Sequence, residues 1–109
     1  MLRIVGRKII LTRGDSAELS IKVIKKDGSL YTMNPSDKLI LTIKKHILDN
    51  TPLLQKEVVG TTVIMLNPED TKTLEFGRHV YDVQLTAHNG NIYTVVPSSE
   101  FVIAEEVTM

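Results

Sequence analysis

The sequence predicts an all-β protein, an antiparallel β-sandwich with one short helical crossing, and three observations carry that expectation. Short apolar or alternating segments recur about every ten residues between turn residues. Only one segment reads as a helix. The strand, helix, strand alternation that builds a parallel sheet is missing. A chain of 109 residues suits one domain, here residues 1–109. Hydrophobic residues make up 42% and aromatic residues 5% with no Trp, so Val, Ile and Leu must fill the core.

After a basic lead, Lys8 to Leu11 is a short apolar run suited to a first strand. From Ala17 the pattern alternates, with Ala17, Leu19, Ile21 and Val23 on one face and Glu18, Ser20, Lys22 and Ile24 on the other. Lys26-Asp27-Gly28-Ser29 supplies a turn. Leu30 to Met33 reads as a short returning strand ended by a turn at Asn34-Pro35-Ser36-Asp37. Lys38 to Lys45 alternates again, and His46 to Pro52 reads as a loop. Leu53 to Val59 and Thr62 to Leu66 form two more short strands across Gly60.

The helix start is at Leu66-Asn67-Pro68-Glu69-Asp70-Thr71. Asn67 can cap, Pro68 suits the first helical position, and two acids face the positive end of the dipole. Gly77 is expected to stop the helix after about two turns. HVYDVQLTAHNGNIYTVV then reads as a hairpin folded at Asn89-Gly90, a dipeptide that favours a tight turn. Ser98 and Ser99 suggest a further turn before Phe101, Val102 and Ile103.

Net charge is zero, so no global field draws the protein to nucleic acid or to an anionic membrane. The chain has no Cys, which removes disulfides, thiolate zinc sites and cysteine nucleophiles together and fits a reducing cytosol. MLRIVGRKIIL is too short and basic to span a bilayer and lacks the pattern of a cleaved signal. Neither Asn34-Pro35-Ser36 nor Asn50-Thr51-Pro52 is a glycosylation acceptor.

No catalytic constellation is present. His46, His79 and His88 lack metal-ligand spacing and read as surface or loop histidines, and His79 and Asp82 fall on opposite faces of a strand. Serines sit in turns without a nucleophile elbow, and no glycine-rich phosphate loop precedes a helix. The acid pairs Glu69 with Asp70 and Glu105 with Glu106 are explained by a helix start and by the terminus. Accordingly no enzyme activity, metal or cofactor is expected. Lys22, Lys25, Lys26, Lys44 and Lys45 read as solvated strand-edge lysines, with only Tyr31 near them in sequence for stacking against bases.

Charge is asymmetric along the chain. Arg3, Arg7, Lys8 and Arg13 lie in the first thirteen residues with no acid, and Glu100, Glu105 and Glu106 lie in the last ten with no base. Such ends suggest head-to-tail contact, in a homo-oligomer or with a neighbouring protein. Arg3, Arg7, Lys8, Glu105 and Glu106 are therefore the candidate contact residues. The tripeptide Arg13-Gly14-Asp15 reads as turn residues that launch the strand from Ala17, in preference to an adhesion signal.

EFGRHVYDVQLTAHNGNIYTVVPSSEFVIAEEVT, taken with RGDSAELSIKV, resembles small immunoglobulin-like domains of phages and prophages of Gram-positive bacteria, notably the N-terminal domains of upper baseplate proteins. The matching positions are Gly14 and Asp15, then Gly77, Tyr81, Asp82, Gln84, Leu85 and Thr86, then Gly90 and Thr94, and last Phe101, Val107 and Thr108. His79 stands where that pattern usually has an aromatic residue. Leu66 to Thr71 carries a fainter likeness to the Pro-Glu-Asp-Thr crossing of antibody variable domains, without their Cys pair and Trp. The resemblance implies an immunoglobulin-like sandwich and a non-catalytic tail or baseplate component, assembled in the bacterial cytoplasm and resident in the virion. Its partners would be other phage structural proteins, with neither nucleic acid nor membrane. A carbohydrate- or cell-surface-binding module is the competing expectation, for which aromatic residues are few.

Overall fold

The computed structural model describes the backbone of residues 2–5 and the whole of residues 7–105. Among these residues eight strands and one helix follow in order: β1 (Leu2–Val5), β2 (Lys8–Thr12), β3 (Ala17–Ser20), β4 (Lys38–Lys44), β5 (Leu54–Val59), β6 (Val63–Leu66), α1 (Pro68–Lys72), β7 (Gly77–Thr86) and β8 (Ile92–Ala104). Among the described residues strand takes 52% and helix a single short segment, which makes the protein all-β. A six-stranded sheet has the order β1-β2-β8-β7-β4-β5, and β3 pairs with β6 in a two-stranded sheet.

The core is aliphatic, as the composition requires. In the large sheet Leu39, Leu41 and Ile43 sit opposite Leu85, Val83 and Tyr81, and Ile9 and Leu11 opposite Phe101 and Ile103. In the small sheet Ala17 and Leu19 pair with Leu66 and Ile64. These side chains are all buried and form one cluster. Fully burying each Leu, Ile or Phe contributes about 1.5–3 kcal/mol before the entropy of ordering is subtracted.

Several expectations are corrected. The large sheet is mixed, because β2 runs parallel to β8. Parallel neighbours need a long connection, and here almost the whole domain lies between them. Leu2–Val5 is a strand where only a basic lead was expected. The alternating run ends as a regular strand at Ser20, and Leu30 to Met33 contributes only one bridge, Ile24 to Leu30.

The helix stops at Lys72, capped at Thr73, and Gly77 instead opens β7. Its start is as expected, with the Asp70 carboxylate accepting from the Asn67 backbone N–H at 2.7 Å.

The hairpin turn is one residue longer than a tight two-residue loop. Ala87 N–H donates to Asn91 O, and Gly90 N–H donates to Ala87 O, both at 2.8 Å. Gly90 has φ +87, and among the described residues none other than Gly has positive φ. A two-residue turn of the favoured hand would need Asn89 there as well, so the loop is a type I turn closed by a left-handed Gly. Ser98 and Ser99 make no turn. β8 runs through them, and register shifts opposite Tyr81 to Gln84 absorb extra residues beside Pro97, where a missing N–H is tolerated.

Candidate functional site

A cavity of about 590 Å³ opens between two stretches of chain. One wall is Lys22 to Lys26, the continuation of β3 after it leaves its ladder, together with Tyr31. The other is the start of β8 at Tyr93, Thr94 and Val95, with Leu85 of β7. The lysine arm is held by its own small turn: Gly28 N–H donates to Lys25 O at 3.0 Å, Lys25 N–H to Ser29 O at 2.9 Å, and Tyr31 N–H to Val23 O at 2.8 Å. Val23 is buried and anchors the arm, whereas Ile24 is 59% exposed and Tyr93 52% exposed. The cavity thus combines cationic side chains, apolar wall and tyrosine.

Asp37 ties Tyr31 of the first wall to the tip of the β7–β8 hairpin. It is fully buried, and its Oδ2 accepts from Tyr31 Oη at 2.6 Å and from Asn34 N–H at 2.8 Å. Its Oδ1 accepts from His88 N–H at 2.7 Å and lies 3.1 Å from His88 Nδ1. The lysine arm, the Asn34–Asp37 turn and the tip of the β7–β8 hairpin therefore meet on one carboxylate. The Tyr31 hydroxyl first, and then the backbone N–H groups and His88, hold Asp37 down to about 2 against the opposing effect of burial. The same bond pushes the Tyr31 phenol up. In the sequence Asp37 shows only as a turn residue, through the Asn-Pro-Ser-Asp pattern, which says nothing of the partners at residues 31 and 88.

The lysines expected along strand edges part company. Lys22, Lys25 and Lys26 line the cavity, Lys45 pairs with Glu75 at 3.5 Å, and Lys44 acts on Asp82. Asp82 lies in a depression of about 90 Å³ on the outer face of the large sheet, where burial pushes its carboxyl up and Lys44 counters. His79 points to the opposite, inner face, as the spacing required. It is 1% exposed, which corrects its placement at the surface. Its Nδ1 meets Gly77 O at 3.2 Å, Nε2 has no partner, and desolvation lowers its pKa.

The residues expected at contacts are distributed as follows. Arg3 lies in β1 opposite Ile10. Arg7 is exposed, and its carbonyl accepts a hydrogen bond from the Tyr81 hydroxyl. Lys8 reaches Glu100 at 3.1 Å. Glu105 is exposed at the end of β8, and Glu106 lies outside the described residues. The parallel pairing of β2 with β8 thus sets basic and acidic ends side by side in one molecule.

Arg13-Gly14-Asp15 is built into the β2–β3 turn. The Arg13 guanidinium lies 4.1 Å from the centre of the Phe76 ring, Gly14 N–H donates to buried Thr71 Oγ1 at 2.9 Å, and Asp15 N–H donates to Thr12 O at 3.1 Å. Among the described residues no group of three or more His, Asp or Glu could hold a metal ion, and no helix is long and apolar enough to cross a membrane. No family model matches the chain, and no curated protein or solved structure matches it either.

Proposed function

We propose that this domain is a non-catalytic structural protein of a phage or prophage, a tail or baseplate component that works through protein–protein contacts. The observation that carries the reading is the order of the strands. If β3, β4, β5, β6, β7 and β8 stand for strands B, C, C′, E, F and G of an immunoglobulin fold, then C pairs with F, F with G, C with C′, and B with E. α1 takes the place of the E-to-F crossing. This arrangement supports an immunoglobulin-like sandwich and agrees with the resemblance carried by Gly14, Asp15, Tyr81, Asp82, Gln84 and Phe101.

Such a domain meets its partners through sheet faces, edges and surface charge. Other structural proteins of the particle are the partners this reading assigns, and Arg3, Arg7, Lys8, Glu105 and Glu106 its contact residues, with assembly in the bacterial cytoplasm. The test is the gene neighbourhood followed by co-purification. Adjacent tail or baseplate genes, and a stable complex with one of their products, are the expected result; a metabolic operon overturns it. The half-exposed Tyr93 beside Tyr31 supports a second reading, a carbohydrate- or cell-surface-binding module. Saturable glycan binding lost in Tyr93→Ala would favour that one.

A further inference from the structure

We propose that the cavity between the Lys22–Lys26 arm and the start of β8 receives an extended acidic segment of a partner protein as an added strand. The first ground is how the walls are made. A strand that turns its face to a cavity lines it with alternate residues. Here Tyr93, Thr94 and Val95 line it in succession, as does the arm opposite, so each strand meets the space edge-on.

The second ground is an open edge. β7 pairs with β8 on one side, but β2 covers the other side only from Phe101 to Ala104. Among the described residues no strand pairs with that side of β8 before Phe101, and Pro97 ends the stretch that could donate in a ladder. Ile92 to Val96 remains, roughly 17 Å of strand.

Charge selects the occupant. Lys8, Lys38, Lys45 and Lys56 each lie within 4.0 Å of a carboxylate. Among the described residues none pairs with Lys22, Lys25 or Lys26. Side chains of an added strand alternate between the two faces of the sheet, so every second one would share the face that carries Lys22 and Lys26 on the arm alongside. A segment with Asp or Glu at alternate positions meets the lysines while its backbone bonds to β8. The partner class rests on the contact-protein reading above; the site itself does not depend on a viral origin.

The test uses the isotope-labelled full-length domain and a capped peptide alternating Glu and Val. The expected result is slowed amide exchange and shifted resonances confined to Ile92–Val96 and the lysine arm, weakened by added salt. A Lys-Val peptide is expected to leave them unchanged, and an N-methylated Glu-Val peptide, which cannot complete the ladder, not to bind. The triple variant Lys22→Gln, Lys25→Gln, Lys26→Gln, altered only at exposed positions, is expected to melt with the parent and bind roughly tenfold more weakly.

The proposal is overturned by no binding at millimolar peptide, by equal binding of the N-methylated peptide, or by protection at a different edge. Tighter protection of the same amides by oligo-dT would assign the cavity to nucleic acid instead. Protection that grows with protein concentration and no peptide would assign it to a second copy. Failure of the peptide leaves the contact-protein reading to its own co-purification test.

Discussion

Gly60 holds the connection between the two sheets, and replacing it with Ala tests that connection. Its φ is +70, and a Cβ there would lie 2.9 Å from Pro35 O and 3.3 Å from Pro35 Cα. The left-handed conformation alone costs a residue with a Cβ about 1–2 kcal/mol. The overlap is with backbone inside a turn containing proline, so no flexible side chain can swing away; overpacking of that kind adds about 1–3 kcal/mol.

The expected total for Gly60→Ala is therefore about 2–5 kcal/mol. Gly90→Ala is the matched control, with φ +87 and no atom within 4 Å, so it should lose only the conformational part. The Gly60 N–H also donates to Asp37 O at 2.8 Å, and a shift there should reach Tyr31 and His88 through the Asp37 carboxylate. Urea and thermal unfolding measure the difference, at about 4–8 °C per kcal/mol for a domain near this size. Equal losses in the two variants would refute the argument, because the contact with Pro35 would then contribute nothing.

Three further outcomes are expected. Tyr81→Phe removes a hydrogen bond to the Arg7 carbonyl but keeps the edge-on contact with Phe101 at 5.8 Å, so it should cost about 1 kcal/mol and speed amide exchange in β1 and β2. His79 has a folded pKa below its ordinary 6.5, so the unfolded chain takes up the proton first and stability falls as pH drops below that value. His79→Phe removes the unpartnered Nε2 and should flatten the pH dependence of the melting temperature just below pH 6.5, with stability at pH 8 changed by less than about 1 kcal/mol. Asp37 is lowered from 3.8 to about 2, so its contribution is complete above the first value and fades towards the second. Asp37→Asn should lower the melting temperature at neutral pH, and thermal melts should show the gap to the parent closing in that acid window.

Local chemistry made much of the strand pattern legible. Alternation over Lys38 to Lys45 places Leu39, Leu41 and Ile43 on one face, and those residues are the core. Asn67, Pro68 and Asp70 mark the helix start because a cap is completed by neighbours in sequence. The edge was harder to read. Whether Ile92 to Val96 has a neighbour depends on where β2 docks, and β2 is most of the chain away. The same holds for Asp37, whose partners at residues 31 and 88 come from different strand connections, and for His79, whose burial follows from the strand phase and the opposing sheet.

Composition and periodicity by themselves determined an aliphatic all-β domain with no cysteine, one helix start and a hairpin near Asn89-Gly90, because each of those rests on contacts a few residues apart. Only the tertiary structure decided that β2 lies parallel to β8, that Lys8 meets Glu100, and that three lysines face an open strand edge. Those are contacts between segments tens of residues apart, selected by which apolar faces could close on one another, and no local pattern records that choice.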